Sequence, residues 1–342
     1  ASAGDVDVRR LDAADPAQRR ELLAGLPLPG GDAAAPFAWA HRALLRQGLR
    51  LTVRPAADGS ERVLHVRRRG DAVEAPLLVV DLMPGARCML LETHEAGDAS
   101  TRCASVQNLQ VHVLAGERSS MRHLRVALPD ARDRIAQHVH VRLGEAANYA
   151  QALLAGGSRY HLQRSVLELD HPRAVARTGS VLLAADTCID QQVRVHHCAA
   201  GTISSVDALA LGSGSAPLVA NAHTTIAAGW HDAKTRQRLT GVPTRGPPRL
   251  VLRPHLEIHH DQVQAAHGAT WGALPEDALF HARQRGIDDM SAKAMIVAGM
   301  AAAAFARALG DDDALEASGL GARLARAIAD HLVAGRQELR HG

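Results

Sequence analysis

Leu256-Glu-Ile-His-His-Asp-Gln-Val-Gln-Ala-Ala-His267-Gly-Ala-Thr-Trp-Gly272, continued by Leu279-Phe280 and Arg283-Gln-Arg285-Gly286-Ile287, is the stretch in which the chain changes its period. Up to His267 the pattern is that of an extended strand. Beyond it a helical period resumes, with Pro275 at a first-turn position and Gly286 at a C-terminal cap. His267 stands at a strand end beside Gly268, where the backbone of another surface can come close. A neutral imidazole there suits iron as a ligand, and it equally suits a structural hydrogen bond to a backbone carbonyl. Ala265 and Ala266 precede the ring, so no thiolate accompanies it.

The run resembles the signature of the SufB/SufD family of iron–sulfur cluster assembly proteins, which reads L-E-I-x-A-D-D-V-x-C-x-H-G-A-T-x-G and then L-F-Y-x-x-x-R-G-I along a short helix. The family's cysteine falls on Ala265 and its histidine on His267. Ala43-Leu-Leu-Arg-Gln-Gly48-Leu-Arg-Leu, followed by Ala75-Pro76-Leu-Leu-Val-Val80, is similar to the family's entry into its β region, and Arg194 to Leu250 is similar to its last coils. The resemblance implies a mainly β fold: a right-handed parallel β-helix over 49–272, flanked by an N-terminal helical region, 1–48, and a C-terminal one, 273–342. The missing cysteine and the short N-terminal region put the likeness on the SufD side. It further implies a non-catalytic scaffold that pairs with a SufB-like subunit through the β body and docks a SufC-like ABC ATPase through the C-terminal helices. A transient iron–sulfur cluster would then meet His267 at the subunit interface. Phe280, Arg285, Ile287, Leu320, Leu324, Ile328 and Leu332 would carry the ATPase contact.

Upstream of the signature the alternation recurs. Leu49, Leu51 and Val53 interleave with Arg50, Thr52 and Arg54. Val111 and Val113 stand opposite Gln110 and His112, and Val139, Val141 and Leu143 opposite His138, His140 and Arg142. Several runs end in glycine, at Met83-Pro-Gly85, Leu114-Ala-Gly116 and Leu143-Gly144. From 49 to 265 no strong helical segment intervenes, so crossover helices are absent and an ordinary α/β sheet is disfavoured. Short strands with tight corners build a sandwich, a barrel or a parallel β-helix, and periodicity does not choose among the three. The irregular spacing of the glycine-closed runs is a weak sign of solenoid coils.

Helices are expected at both ends. Asp15-Pro16 supplies an N-cap and first turn for a short helix containing Leu22 and Leu23, which Gly25 closes. Leu26-Pro-Leu-Pro-Gly-Gly31 breaks the chain, and a second helix is expected from Pro36 to Gln47, ending at Gly48. Past the signature, a helix from Ser291 puts Ala292, Met295, Gly299, Met300 and Ala303 on one stripe, and Gly310-Asp-Asp-Asp313 interrupts it. Leu320, Leu324, Ile328 and Leu332 then form one apolar face. That face needs a cover, from the chain's own β body or from a partner.

Lys and Arg total 39 against 36 Asp and Glu, a net charge of +3 with the positive residues scattered, so nucleic-acid binding is not indicated. Twenty histidines stand beside three Phe, three Trp and two Tyr. Their charge climbs in mild acid, and most of them are expected on solvated faces. Cys88, Cys103, Cys188 and Cys198 make no CxxC pair, and no basic segment with an apolar core opens the chain, so a reducing, cytoplasmic location is expected. The apolar run Ala294 to Ala306 is short for a membrane span and is expected as a buried helix.

Cys188, His196, His197 and Cys198 offer metal-compatible atoms. Yet Val193 and Val195 alternate with Arg194 and His196, which explains the segment as one more strand, and the paired short spacings of structural zinc are missing. His259 and His260 fall on opposite faces, so only one of them shares a face with Glu257; both are expected at the surface. The chain holds no G-x-S-x-G elbow, P-loop, H-E-x-x-H or dinucleotide fingerprint, and Gly212-Ser-Gly214-Ser215 suits a turn. The competing function is a β-helix carbohydrate-active enzyme, which wants carboxylate pairs and aromatic platforms. Three Trp and two Tyr supply few platforms, and no close carboxylate pair recurs along one face. A homodimer of the isolated chain is compatible with these readings.

Overall fold

The computed structural model describes residues 4–29, 35–69, 73–95, 104–310, 316 and 318–334. Cys103, Gly30, Gly31 and Asp311 to Asp313, singled out above, lie outside the described residues. Strands go alternately to two sheets. One holds β2 (Gln47–Val53), β5 (Leu77–Leu82), β7 (Val106–Ala115), β9 (Arg134–Leu143), β11 (Tyr160–Leu169), β13 (Ile189–His197), β15 (Pro217–Ile226) and β17 (Arg249–Ile258), with a short β4 (Val73–Glu74) beside β7. The other holds β3 (Arg62–Arg69), β6 (Arg87–Glu95), β8 (Ser120–Ala127), β10 (Asn148–Gly156), β12 (Val175–Ala185), β14 (Ile203–Ser213), β16 (Lys234–Arg245) and β18 (Gln264–Trp271).

From β5 onward the strand two places later in the chain is the parallel neighbour within each sheet, and before that β2 pairs with β5 and β3 with β6. A sandwich or barrel of hairpins pairs chain neighbours antiparallel, so the arrangement is a parallel β-helix, one strand per sheet per coil. Right-handed crossing is the hand that twisted parallel strands favour. The register steps 28 residues from Gln110 to His138, 26 to Arg164, 28 to Gln192, 29 to Asn221 and 32 to Arg253.

A ladder of left-handed residues turns one corner of the coils. Gly85, Arg118, Ala146, Arg173, Gly201 and Asp232 all have φ between 50° and 74°. The N–H of each donates to a carbonyl of the next coil: Gly85 to Glu117 at 2.8 Å, Arg118 to Glu145 at 2.8 Å, Ala146 to Pro172 at 2.9 Å, Arg173 to Ala200 at 3.1 Å, Gly201 to His231 at 3.0 Å and Asp232 to Gln262 at 2.9 Å. Left-handed backbone at non-glycine residues is uncommon, and here it is held by these interlocking bonds. At Gly116 a Cβ would come within 2.7 Å of the Leu82 carbonyl, so the glycine that closes this run is required by stacking of the coils.

The inward faces of both sheets fill the lumen with Leu90, Val111, Val139, Leu153, Val193 and Leu239. Fully burying each such side chain contributes about 1.5–3 kcal/mol. The outward faces are covered from both ends of the chain. α1 (Pro16–Leu23) packs Leu22 beside Leu11, Leu45 and Val79, and its cap Asp15 accepts from the Ala17 and Gln18 amides as expected. α2 (Ala35–Leu44) lays Phe37 against Tyr160 and His138, with ring centroids at 6.2 and 5.9 Å. α4 (Asp289–Leu309) and α5 (Leu320–Ala334) close over the second sheet through Leu124, Leu154, Val181, Phe305 and Ile328.

Three expectations change. The N-terminal region also carries β1 (Val6–Asp12), antiparallel to β2. α2 ends at Leu44, because Gln47 and Gly48 already belong to β2, where a Cβ on Gly48 would meet Leu22 at 2.5 Å. The buried face of α4 is Ala292, Val297, Ala301, Ala304, Phe305 and Ala308, whereas Met295 and Ala303 of the expected stripe face outward. The histidines divide: His41, His94, His112, His123, His138, His161, His197 and His331 are buried, because both outward faces are covered and the lumen itself holds polar residues, while the other eleven described are half-buried or exposed. By length and composition α4 could cross a membrane; here its apolar face lies on β10, β12 and β14, and Arg307 Nε reaches Asp207 Oδ1 at 2.8 Å.

α4 crosses β12 at Gly179, where a Cβ would stand 2.6 Å from the Ala304 carbonyl and 3.0 Å from Ala308 Cβ. Gly179→Val is expected to lift the helix and destabilise the protein by about 1–3 kcal/mol, read as a lower denaturant midpoint. An unchanged midpoint would show that the contact yields freely.

Candidate functional site

Among the described residues, β17 and β18 end their sheets and have a hydrogen-bonded neighbour on one side only. All eight residues of β18 are exposed. The lumen of the β-helix therefore opens at this end between two unpaired strand edges, an arrangement that templates further strand pairing. Trp271 and Ile258 are exposed large apolar residues there.

His267 lies on β18 in register with Gln237 of β16. The same column runs back through Val206, Thr178, Gln151 and His123, all buried. Because in-register residues of parallel strands share a face, His267 continues the lumen-lining column at the mouth. Below it, Gln237 Nε2 donates to Thr224 Oγ1 at 2.8 Å and to the His255 carbonyl at 2.9 Å. Ala265 and Ala269 are its same-face neighbours on β18, so the ring is the side chain on that face of the strand that could serve as a ligand.

β18 passes through Leu274 into α3 (Glu276–Gln284), which has no buried residue. Phe280 is 55% exposed, Arg285 is exposed and Ile287 is half-buried. Leu320, Leu324, Ile328 and Leu332 are placed differently: their stripe is buried against the second sheet and α4. The chain's own β body is the cover that stripe required. A partner meeting these helices would touch the outward side, with Phe280, Arg285 and the 61% exposed Met295.

Cys188 and Cys198 flank the two ends of β13, whose nine residues extend about 30 Å, so they share no ion. His197 is buried in the lumen with Nδ1 2.7 Å from Thr202 Oγ1 and Nε2 2.8 Å from Ser204 Oγ, a satisfied structural histidine held at a pKa of about 4 by desolvation. His259 shares a face with Glu257, Nε2 to Oε1 at 3.0 Å, while His260 turns to Asp261 at 2.9 Å. Glu168 and Asp170 form a carboxylate pair, yet Arg142 Nε bridges them at 3.4 Å from each.

Two clusters were not found from the sequence. The lumen holds a polar network in which Glu92 Oε1 lies 3.2 Å from Arg68 Nε and accepts from Gln137 at 2.5 Å, and its Oε2 is 3.4 Å from His123 Nε2. Gln163 donates to Gln137 at 3.3 Å, and Arg125 donates to Gln163 at 2.8 Å and to Gln151 at 3.4 Å. Despite burial, these cations and hydrogen bonds keep the Glu92 carboxyl well below the usual range. The second cluster joins His223 of β15 to His255 and Glu257 of β17 on the outward face. Alternate spacing at His255, Glu257 and His259 was its legible half; His223 enters only through register.

Residues 65–300 match the model of the SufBD core domain of SUF-system iron–sulfur cluster assembly. Over 50 residues the chain is 42% identical to the iron–sulfur cluster assembly protein SufD of Escherichia coli (strain K12), a stretch covering 15% of this chain and 12% of that protein.

Proposed function

Since this chain belongs to the SufBD core-domain family and so has a role in iron–sulfur cluster assembly, we propose that it works there as a non-catalytic, SufD-like scaffold in the cytoplasm. In this reading it pairs through β17 and β18 with a SufB-like subunit and presents α3 to a SufC-like ATPase. The observation that carries it is the uncapped end of the β-helix: two strand edges, with His267 in the lumen column between them.

The cluster is cargo. His267 offers it one imidazole nitrogen, and with alanine at 265 any thiolate must come from the facing subunit. The close carboxylate pair Glu168 and Asp170 is bridged by Arg142, which disfavours it as an acid–base pair for sugar chemistry. Chemistry would then lie between subunits, and nucleotide hydrolysis with the ATPase.

The test is co-expression of the three subunits followed by purification through this chain. His267→Ala is expected to keep the subunit ratio and lose most of the visible cluster absorbance. Phe280→Asp with Arg285→Glu is expected to lose the ATPase while retaining the SufB-like partner. Normal cluster absorbance in the first variant would make His267 structural; retention of the ATPase by the second would remove α3 from the docking surface.

A further inference from the structure

One column of the first sheet's outward face brings His223 and His255 onto adjacent rungs, and Glu257 follows His255 two residues later on the same face. The rings meet edge to face with centroids 4.5 Å apart. His223 Nε2 lies 3.4 Å from Glu257 Oε2, and one donor atom from each of the three residues falls within 4.8 Å of the others. Although the His223 side chain is 39% exposed, its Nε2 is shut off from solvent and makes no hydrogen bond. That nitrogen therefore faces a carboxylate oxygen at a separation too long for a good hydrogen bond.

The separation does suit two ligands of one ion. Bonds of about 2.05 Å at a tetrahedral angle set neighbouring ligand atoms roughly 3.3 Å apart. The other oxygen, Glu257 Oε1, is engaged by His259 Nε2 at 3.0 Å, the outer hydrogen bond that commonly orients a ligating carboxylate.

We infer that His223, His255 and Glu257 form a binding site for a divalent transition-metal ion, holding it by two imidazoles and one carboxylate with an open position toward solvent. Two nitrogens and one oxygen favour borderline ions such as Zn²⁺, Fe²⁺ or Co²⁺ over Ca²⁺ and Mg²⁺, which prefer all-oxygen sets. The ion would tie β15 to β17, so that it staples the terminal strand of the first sheet to its neighbour. The site needs only this chain and stands apart from the assembly reading and from His267.

Titration of the isolated full chain with Co²⁺, followed by visible ligand-field absorption, tests this. One saturable site is expected. It should be lost in His223→Ala and His255→Ala, weakened at least about tenfold in the isosteric Glu257→Gln, and kept in His267→Ala. With Zn²⁺ the thermal midpoint should rise in the parent and not in the two alanine variants, whose fold is checked by circular dichroism. No ligand-field band in the parent, a band that persists in both alanine variants, or its loss in His267→Ala would each overturn the assignment. Should either alanine variant fail to fold, Glu257→Gln decides, and unweakened Co²⁺ binding in it would overturn the site.

Discussion

Acidification from about pH 6.5 to pH 4 is expected to unfold this protein. His41, His161, His197 and His331 are buried with pKa values lowered from 6.5 to about 4, desolvation being the first cause in each. A histidine whose folded pKa lies below its unfolded one binds its proton more readily in the unfolded chain, so stability falls as pH drops through 6.5 and the loss levels out near 4. Each shift corresponds to roughly 3 kcal/mol, and together they are of the order of the 5–15 kcal/mol that hold an ordinary domain. Two of the four also anchor the covers of the sheets: His41 on α2 donates to the Pro76 carbonyl at 3.0 Å, and His331 on α5 meets Thr244 at 3.0 Å. The check is a series of thermal melts from pH 7.5 to 4.5, with a steady fall in midpoint. A flat profile would mean that these rings are charged in the folded state.

Arg125→Ala is expected to destabilise the protein by about 3–5 kcal/mol, because it removes a buried cation whose charge favours the buried Glu92 carboxylate and leaves that charge less compensated in the lumen. The guanidinium is 1% exposed, and its loss also strands Gln163 Oε1 in the lumen. Equilibrium denaturation measures the loss, and pairing the change with Glu92→Gln should recover part of it, since the carboxylate then no longer needs its cations. A loss under about 1 kcal/mol would show that Arg68 and water suffice for Glu92.

Strand positions and corners were legible because alternation and glycine report locally. Val111, Val113, Val139 and Val141 do face the core, and Gly85 and Gly116 do sit at corners. Which strands pair was not legible from periodicity: alternation tells which side is buried and says nothing of the neighbour, so it left sandwich, barrel and solenoid open, and the resemblance carried by Leu256 to Gly272 was what pointed to the parallel β-helix that the register shows. His112 and His138 read as solvent-facing because they alternate with valine, yet they are buried under the N-terminal region. Gln137, Gln163 and Gln191 fall on inward positions that a simple apolar pattern assigns to hydrophobic residues, and they are buried in the lumen. For the site, His267 was found from the motif; its alignment with Gln237 and the pairing of His223 with His255 needed the coil length, which varies from 26 to 32 residues.

The placement of α4 across β10, β12 and β14 gives the stack of coils an uneven cooperativity. In a linear array each unit is coupled only to its neighbours, and an end unit has one interface where an inner unit has two. The helix is expected to make three adjacent coils melt as a block, while the terminal coil beyond them, held by a single interface, is expected to fray first. Docking of another chain on β17 and β18 would supply the missing second interface, turning an end unit into an inner one and lengthening the cooperative array instead of merely covering a surface.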